Sequence, residues 1–301
     1  MNTFPRWLKK TLSFDNAVHE TKAIVESARV RTVCESSLCP NTNECYSRRF
    51  VAFLILGARC TRNCAFCSAA KGDPLPPDSE EPRRIVDAVI RLHLGHVVIT
   101  SVTRDDLEDG GAEHFIRVME ELRSYSRDIM IELLVPDFRG NRDAIRRVCA
   151  ASPDIFGHNI ETVHRLYPAV RPGADYRRSL DVLSRAKDYA LKAMIKSSLL
   201  VGFGEEREEV MECMRDLKDA GCDIIAIGQY LRPSRDQLPV HTFIRPEEFS
   251  AYKEAAYKIG FALAITGPFV RSSYEANCIY GNDLRRKEIF GHDKSRAAAV
   301  S

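Results

Sequence analysis

Six of the ten cysteines in this chain lie in two tight triplets within its first quarter. The first triplet is Cys34, Cys39 and Cys45, and the second triplet is Cys60, Cys64 and Cys67. Each can supply three thiolates from one loop to an iron–sulfur cluster, whereas a cubic four-iron cluster usually takes four cysteines. A triplet therefore leaves one iron open, and an open position distinguishes catalytic from structural metal sites. The two triplets predict an enzyme with two clusters.

Other uses of these cysteines fit their spacing less well. Disulfides join pairs rather than triplets, and the N-terminal residues MNTFPRWLKK lack the long apolar run of a secretory signal. Zinc sites favour C-x-x-C pairs that recur at a distance, whereas only Cys64 and Cys67 have that spacing. Two-cluster ferredoxins carry a C-x-x-C-x-x-C-x-x-x-C-P run, which neither triplet matches. Clustered thiolates also favour a reducing compartment, so we expect a cytoplasmic protein.

Six apolar segments of strand length alternate with helical segments from residue 51 onward. The predicted strands are 51–56, 96–100, 129–135, 153–160, 192–201 and 222–230. The predicted helices are 15–29, 80–94, 111–125, 141–151, 177–190, 208–220 and 246–260. Because strands alternate with helices, we expect parallel pairing through right-handed crossovers.

This alternation predicts an α/β fold, namely a partial (β/α)6 TIM-like barrel that is two units short of a full one. We expect three segments: an N-terminal extension over 1–50 with the first triplet, the barrel over 51–245, and a C-terminal helix with the segment after it over 246–301. Catalytic groups of such folds collect where strands end and loops begin. The second triplet directly follows the first strand and so lies at that edge.

The composition excludes several classes of function. The chain has 301 residues, of which 45% are apolar and 29% are charged, as in ordinary globular proteins. Its net charge of +2 does not indicate binding to nucleic acid. No apolar run approaches the roughly 18 residues that would suggest a membrane-spanning helix. We therefore expect neither a nucleic-acid nor a membrane partner.

The second triplet forms the motif C-x-x-x-C-x-F-C, in which Phe66 precedes the last cysteine. This motif resembles the signature of the radical S-adenosylmethionine superfamily, whose members typically fold as a six-unit partial barrel. The first triplet, together with the sequence RSSY at 271–274, is narrower and resembles the lipoyl synthase family. Similar stretches lie at 39–45, 100–112, 133–140, 158–163, 170–176 and 227–234. The resemblance thus covers most of the chain.

The resemblance implies two 4Fe-4S clusters with different roles. The second triplet would hold the cluster that binds S-adenosyl-L-methionine and supplies the electron that cleaves it to a 5′-deoxyadenosyl radical. The first triplet would hold an auxiliary cluster, with a serine of RSSY as its fourth ligand, and Ser273 is favoured over Ser272. A serine oxygen is harder than a thiolate and could leave readily when the cluster is consumed. Without the resemblance, RSSY would be read as a polar turn.

The implied reaction is radical insertion of two sulfur atoms at carbons 6 and 8 of an octanoyl group on a lysine of a lipoyl carrier domain. The sulfur would come from the auxiliary cluster. Unactivated C–H bonds offer no acidic proton, so acid–base catalysis alone is insufficient. The implied carriers are the glycine cleavage H protein and the acyltransferase subunits of 2-oxoacid dehydrogenases. Further implied partners are an electron donor such as ferredoxin or flavodoxin and an iron–sulfur carrier protein.

Residues near the ends of the predicted strands and in the second triplet's loop are the expected S-adenosylmethionine contacts. They are Phe66, Thr100, Ser101, Arg104, Asn159, Glu161, Lys196, Gln229 and Tyr230. Each could equally be structural, because strand-end polar groups also cap helices and aromatic residues are often buried. Gly202 and Gly204 could allow the backbone to approach the cofactor closely.

Several other residues have two interpretations. Asp105 and Asp106 could be general bases, although a solvated loop or a helix cap is favoured. Arg271 could pair with a carboxylate near the auxiliary cluster. The cysteines outside the triplets are Cys149, Cys213, Cys222 and Cys278. We expect the first three to be buried core thiols, and the last stays unassigned.

Two other functions compete with sulfur insertion. A radical S-adenosylmethionine enzyme that acts on a small molecule, as in biotin synthesis, would share the second triplet but not the first triplet with RSSY. An electron carrier with two clusters would not need a six-unit barrel. Sulfur insertion into a protein-bound octanoyl chain is therefore the favoured function.

Overall fold

Seven parallel strands form the central sheet, and their order in space follows their order along the chain. The computed structural model describes residues 4–11 and 15–274. The strands are β1 (Ala52–Ile55), β2 (Arg59–Cys60), β3 (Ala70–Lys71), β4 (His96–Ser101), β5 (Met130–Leu134), β6 (Ile155–Gly157), β7 (Met194–Val201), β8 (Ile224–Gln229) and β9 (Leu263–Gly267). β2 and β3 pair separately, and the sheet order is β1-β4-β5-β6-β7-β8-β9. The predicted α/β fold with parallel strands is confirmed.

Helices connect these strands and pack on the sheet. They are α1 (Asn16–Ser27), α2 (Val33–Ser36), α3 (Thr42–Ser47), α4 (Glu81–Leu92), α5 (Ala112–Tyr125), α6 (Arg142–Ala150), α7 (Tyr167–Val170), α8 (Tyr176–Tyr189), α9 (Arg207–Asp219) and α10 (Pro246–Ile259). Short 3-10 turns lie at Arg6–Leu8, Phe138–Gly140 and His164–Leu166. In the described ranges, no helix is both long and apolar enough to cross a bilayer.

Apolar periodicity explains where the core lies. All residues of β1 and β8 are buried, as expected for strands with helices over the sheet. On α5 the buried residues Phe115, Val118, Met119 and Leu122 recur at helical spacing, which gives the helix one apolar face. Cys149, Cys213 and Cys222 are buried in this core, as predicted. Cys278 lies outside the described residues.

Local sequence signals set the ends of α9 and α10. α9 begins with a capping box, in which the side chains of Glu206 and Glu209 each accept a hydrogen bond from the backbone N–H of the other residue. α10 begins with Pro246 and ends at Gly260, whose φ of 105° is left-handed. The observed ends of α9 and α10 lie within one residue of the predicted bounds, 208–220 and 246–260.

The sequence patterns did not predict the last strand, β9. It is short and pairs in parallel with β8, from Leu263 opposite Ile224 to Gly267 opposite Gly228. The segment from α10 to β9 therefore continues the sheet beyond residue 245, where a segment boundary was predicted. The division of the chain into three segments stays a prediction, and its last part, 275–301, lies outside the described residues.

The N-terminal helices cover the edge strand of the sheet. Leu54 N of β1 donates a hydrogen bond to Arg31 O at 2.9 Å, and Thr32 forms an antiparallel bridge with Phe53. An uncovered edge strand would leave backbone groups open to pairing with another chain. This contact also fixes α2, which carries the first cysteine of the first triplet, beside β1.

Candidate active site

One cavity of about 310 Å³ lies at the carboxyl ends of the central strands. Its wall includes the six triplet cysteines Cys34, Cys39, Cys45, Cys60, Cys64 and Cys67. The loops after β1, β4, β5, β6 and β8 form the barrel side of the wall. Helices α2 and α3 and the last described residues, up to Tyr274, form the other side. The fold thus brings both triplets to one space.

Thr42 organises the backbone of the first triplet. Its hydroxyl shares one proton between two carbonyl oxygens, Cys34 O at 3.0 Å and Cys39 O at 2.9 Å from Oγ1. Burial, with the nearby Cys39, raises the pKa of both Cys34 and Cys45 to about 12. These thiols therefore stay protonated at neutral pH until a bound metal displaces the proton.

Arg62 anchors the loop of the second triplet, because it lies between Cys60 and Cys64. Its guanidinium donates paired hydrogen bonds to Asp105 at 2.7 and 2.8 Å. It donates a second pair to Asp137 at 2.9 and 2.6 Å. Paired arginine–carboxylate bonds fix orientation as well as distance. The structure thus gives Asp105 an anchoring partner, which favours this role over that of a general base.

Asp137 is the buried centre of this network. It is 0% exposed, and Arg178 Nε on α8 donates to its Oδ2 at 2.7 Å. Burial works against its ionisation, but Arg62 and Arg178 hold the pKa of Asp137 well below its usual range. Two cations therefore share the Asp137 carboxylate, and one of them, Arg62, belongs to the loop of the second triplet.

A direct hydrogen bond joins the loops of the two triplets. Ser68, which follows the second triplet, donates from Oγ to Ser36 O at 2.9 Å. Ser36 ends α2, which carries Cys34. The relative position of the two triplets is therefore fixed by protein contacts.

The RSSY sequence (271–274) lines the cavity opposite the barrel loops. Ser272 Oγ donates to Asn159 Oδ1 at 2.9 Å, and Asn159 Nδ2 donates to Glu161 Oε1 at 2.9 Å. The hydroxyl of Ser272 is thus engaged with the barrel. That bond favours Ser273 as the serine that faces the first triplet.

Most of the predicted S-adenosylmethionine contacts line the cavity. They are Phe66, Thr100, Ser101, Asn159, Glu161 and Tyr230. Ser101 Oγ is buried and has no hydrogen-bond partner within the described residues, so it can bond to a ligand. Thr100 Oγ1 donates instead to Leu134 O at 2.9 Å. Desolvation raises the pKa of Glu161.

An aromatic wall forms one part of the cavity and its support. Phe203 stacks on Tyr230 with ring centres 4.3 Å apart and meets the edge of Phe66 at 6.3 Å. We call Phe66, Phe203 and Tyr230 the aromatic wall. Such a surface suits a flat ring of a cofactor.

Known proteins match this chain over most of its length. A family model of the radical SAM superfamily matches residues 54–217. Lipoyl synthase of Caldanaerobacter subterraneus subsp. tengcongensis is 50% identical over 274 residues, which cover 91% of this chain and 95% of that protein. Lipoyl synthase of Geobacter sulfurreducens is 49% identical over 282 residues, covering 93% and 92%. The chain belongs to the lipoyl synthase family.

Solved structures are similar to this chain at the level of the fold. Methylornithine synthase (PylB) matches with a TM-score of 0.52 and 13% identity, covering 85% of this chain and 79% of that one. HydG, a maturase of the [FeFe]-hydrogenase, matches with a TM-score of 0.51 and 14% identity, covering 86% and 73%. At 13–14% identity the likeness shows the fold alone.

Family membership confirms the predicted family, enzyme class and cofactors. Lipoyl synthases are radical S-adenosylmethionine enzymes with two 4Fe-4S clusters, and they act on lipoyl carrier domains. Two thiol triplets on one cavity fit two such clusters, since soft thiolates are the ligands iron–sulfur centres prefer. Among residues 4–11 and 15–274, no three His, Cys, Asp or Glu side chains are grouped to hold a single metal ion. Each cysteine of a four-iron cluster binds a different iron, so its thiolates stand further apart.

Two residues predicted to contact cofactor do not line the cavity. Arg104 is buried, and its Nη2 donates to Asp106 at 2.8 Å. Gln229 Nε2 donates to Val201 O at 3.1 Å and to Thr242 O at 3.0 Å. The structure gives both a structural role in place of the predicted contact, and it makes Asp106 the partner of Arg104.

The glycines after β7 approach protein atoms rather than the cavity. Gly202 has φ of 111°, and a Cβ there would lie 2.2 Å from Gln229 Nε2 and 2.7 Å from Thr242 O. Gly204, with φ of 105°, packs against His241. A side chain and a carbonyl therefore leave no room for a Cβ at Gly202, and the close approach of these glycines to cofactor stays a prediction.

Lys196 also lies away from the cavity, in a buried ion pair. Its Nζ donates to Glu132 Oε1 at 2.8 Å, and both side chains are 1% exposed. His96 Nε2 lies 3.7 Å from the other oxygen of Glu132. In place of the predicted cofactor contact, the structure shows an ion pair between Lys196 on β7 and Glu132 on β5.

Replacing Lys196 with methionine is expected to lower the free energy of unfolding by about 3 kcal/mol, because Glu132 loses its buried cation. Urea unfolding of the full chain measures this loss. The double variant Lys196→Met/Glu132→Leu removes the stranded charge and should recover most of the loss. Unchanged stability with weakened S-adenosylmethionine binding would instead restore Lys196 as a cofactor contact.

Arg171 lines the cavity but was not singled out from the sequence. Its Nη1 donates to Asn159 O at 2.8 Å and to Tyr167 Oη at 2.7 Å. Its Nε is buried with no hydrogen-bond partner in the part of the chain that the structure describes. A fixed guanidinium of this kind suits a carboxylate ligand. The sequence signal for Arg171 is the stretch VRPGADY at 170–176, which resembles the family.

Proposed function

We propose that this protein inserts sulfur at carbons 6 and 8 of an octanoyl group carried on a lysine of a lipoyl carrier domain. The observation that carries the proposal is that both triplets and the RSSY sequence (271–274) line one cavity. Sulfur insertion requires the radical source and the sulfur source to reach the same carbon atoms, and a shared cavity supplies that proximity.

The two triplets have separate roles in this proposal. The second triplet holds the cluster that binds S-adenosylmethionine, and the first triplet with Ser273 holds the auxiliary cluster. When bound, these groups supply an electron, a hydrogen-abstracting radical and the sulfur atoms. The chain positions them: Arg62 fixes one loop, Thr42 fixes the other, and Ser272 ties the RSSY sequence to the barrel.

Cavity side chains complement the parts of S-adenosylmethionine. The unpaired Nε of Arg171 suits the methionyl carboxylate, and Ser101 Oγ suits the methionyl amine or carboxylate. Asn159 and Glu161, which already bond to each other, offer polar atoms to the ribose hydroxyls. The aromatic wall suits the adenine ring.

The cavity also has an apolar lining that suits an octanoyl chain. Its apolar residues include Val33, Leu38, Phe50, Leu54, Leu134 and Leu200. Burial of an alkyl chain against such residues is favourable and keeps water from a reactive radical.

We propose the same partners and location that the sequence implied. The carriers are the glycine cleavage H protein and 2-oxoacid dehydrogenase acyltransferase subunits. A ferredoxin or flavodoxin supplies electrons, and an iron–sulfur carrier protein rebuilds the auxiliary cluster. Six thiols that must stay reduced favour the cytoplasm as the compartment.

Mass spectrometry of an octanoylated carrier domain tests the proposed reaction. Incubation with the reconstituted enzyme, a reductant and S-adenosylmethionine should add two sulfur atoms to the octanoyl-lysine. The matched control omits S-adenosylmethionine. Formation of 5′-deoxyadenosine with no sulfur on the carrier would exclude the octanoylated carrier as the substrate. It would favour instead a radical S-adenosylmethionine enzyme that acts on a small molecule.

Replacing Ser273 with alanine is expected to lower the yield of the first turnover by at least about tenfold, as for loss of a group that supports a metal centre. Ser272→Ala is the neighbouring comparison and should have a smaller effect, because Ser272 bonds to Asn159. Quantification of lipoyl product per enzyme in a single turnover measures both. An unchanged yield in Ser273→Ala removes this serine from the proposed ligand set.

A further inference from the structure

A lysine near the start of the chain lies between the first triplet and the RSSY sequence. Lys10 Nζ donates hydrogen bonds to Asn41 Oδ1 at 2.6 Å and to Glu44 Oε2 at 2.5 Å. The same ammonium lies 4.5 Å from the ring centre of Phe269 and 5.2 Å from that of Tyr274. We call these five residues the clasp. One cation thus contacts both sides of the proposed auxiliary-cluster site.

Two further hydrogen bonds join the sides of the clasp directly. Asn41 Nδ2 donates to Phe269 O at 2.7 Å, and Tyr274 Oη donates to Glu44 Oε1 at 3.1 Å. Asn41 and Glu44 belong to the loop and helix of the first triplet (39–45), whereas Phe269 and Tyr274 flank the two serines. Each contact therefore holds the serines toward the triplet cysteines.

The environment of the clasp makes these contacts effective. The side chain of Lys10 is 21% exposed and that of Glu44 is 29% exposed. Hydrogen bonds between charged groups are stronger than those between neutral groups. The attraction between a cation and an aromatic face is also stronger when water is excluded from the pair. Tyr274 lies 230 residues from Glu44 in the chain. Holding the two residues together costs conformational entropy, which the contacts of the clasp offset.

We propose that Lys10 is a positioning residue that seats the RSSY sequence against the first triplet, so that Ser273 stays within reach of the auxiliary cluster. Its effect on the cluster rests on the proposed role of Ser273, whereas the seating rests on the contacts alone. Lys10 acts through Asn41, Glu44 and the two aromatic rings. It joins three distant parts of the chain at one point.

The test compares Lys10→Met, Lys10→Arg and the matched control Lys9→Met, because Lys9 is the adjacent and exposed lysine. Hydrogen–deuterium exchange of peptides spanning 269–274 is measured in the anaerobically reconstituted full chain. Release of iron to a chelator is followed in the same samples, and Mössbauer spectra distinguish the two clusters.

In Lys10→Met we expect exchange over 269–274 and iron release from the auxiliary cluster to become about tenfold faster, which corresponds to about 1.4 kcal/mol. Lys10→Arg keeps a cation and should restore most of the protection, and Lys9→Met should match the wild type. The second-triplet cluster should keep its release rate in all three variants.

Exchange in Lys10→Met that matches the wild type overturns the proposal. Acceleration spread equally over the barrel strands also overturns it, since Lys10 would then be a general stabilising residue. Uptake of only about four irons by the wild type would contradict the proposed function. The exchange over 269–274 would still decide the seating in that case.

Discussion

Replacing Cys39 with alanine is expected to abolish sulfur insertion while cleavage of S-adenosylmethionine to 5′-deoxyadenosine continues. The first triplet loses a ligand, whereas the second triplet stays complete. Iron in the anaerobically reconstituted protein should fall from about eight to about four atoms per chain. Cys39 suits this test because it is partly exposed, whereas Cys34 is 6% exposed and packs in the core. Iron analysis and quantification of both products measure the effect.

Two other cysteine variants are controls for Cys39→Ala, one expected to lose both products and one expected to keep both. Cys64→Ala disrupts the second triplet and should remove both 5′-deoxyadenosine and lipoyl product. Cys149→Ala changes a buried thiol outside the triplets, on α6, and should keep both products and the full iron content. Sulfur insertion by Cys39→Ala would show that the first triplet is not the sulfur source.

Replacing Asp137 with asparagine is expected to lower the free energy of unfolding by about 3–5 kcal/mol, because two arginines lose the buried carboxylate they share. Arg62 and Arg178 both donate to Asp137, which is 0% exposed. Since Arg62 lies in the loop of the second triplet, iron uptake by that triplet should also slow. Urea unfolding and the rate of cluster reconstitution measure the two effects.

Asp105→Asn is the matched control for Asp137→Asn. Asp105 also bonds to Arg62, but its side chain is 28% exposed and meets solvent. Its loss should cost about 1 kcal/mol, as for partly exposed ion pairs. Equal losses in the two variants would show that Asp137 is not the centre of the network.

Asp137 also makes stability depend on pH. Its pKa is lower in the folded chain than the ordinary value of about 4, so the unfolded chain binds the proton first as pH falls. The stabilisation is therefore complete above about pH 5 and is lost progressively below about pH 4. Unfolding free energies of the wild type and Asp137→Asn should converge in acid. A constant difference down to low pH would contradict this assignment.

Lys196 and Ser101 show what strand patterns could and could not predict about the site. Lys196 was predicted within a strand, over 192–201, whereas Ser101 was predicted to follow the strand over 96–100 directly. Lys196 is the third residue of β7 (Met194–Val201), so it lies about 16 Å from the carboxyl end of that strand. Ser101 is the last residue of β4 and lines the cavity. Position along the strand, rather than polarity, decided which residue reaches the site.

Long-range contacts account for the other features that were missed. The strand β9 is short, and only its pairing with β8 fixes it as part of the sheet. Arg104 and Gln229 lie at strand ends as predicted, but their hydrogen bonds to Asp106 and to Val201 O turn them from the cavity. No local pattern encodes such a choice between partners.

The sequence by itself determined the chemistry and the order of the elements. Thiol type and spacing predict cluster ligands, and apolar periodicity predicts strands and helices, because both depend on residues close together in the chain. Only the tertiary structure decided that both triplets share one cavity, that Ser272 bonds to Asn159, and that Lys10 bonds to Glu44. The residues in these contacts are far apart in the sequence, and only the packing of the folded chain brings them within hydrogen-bond distance.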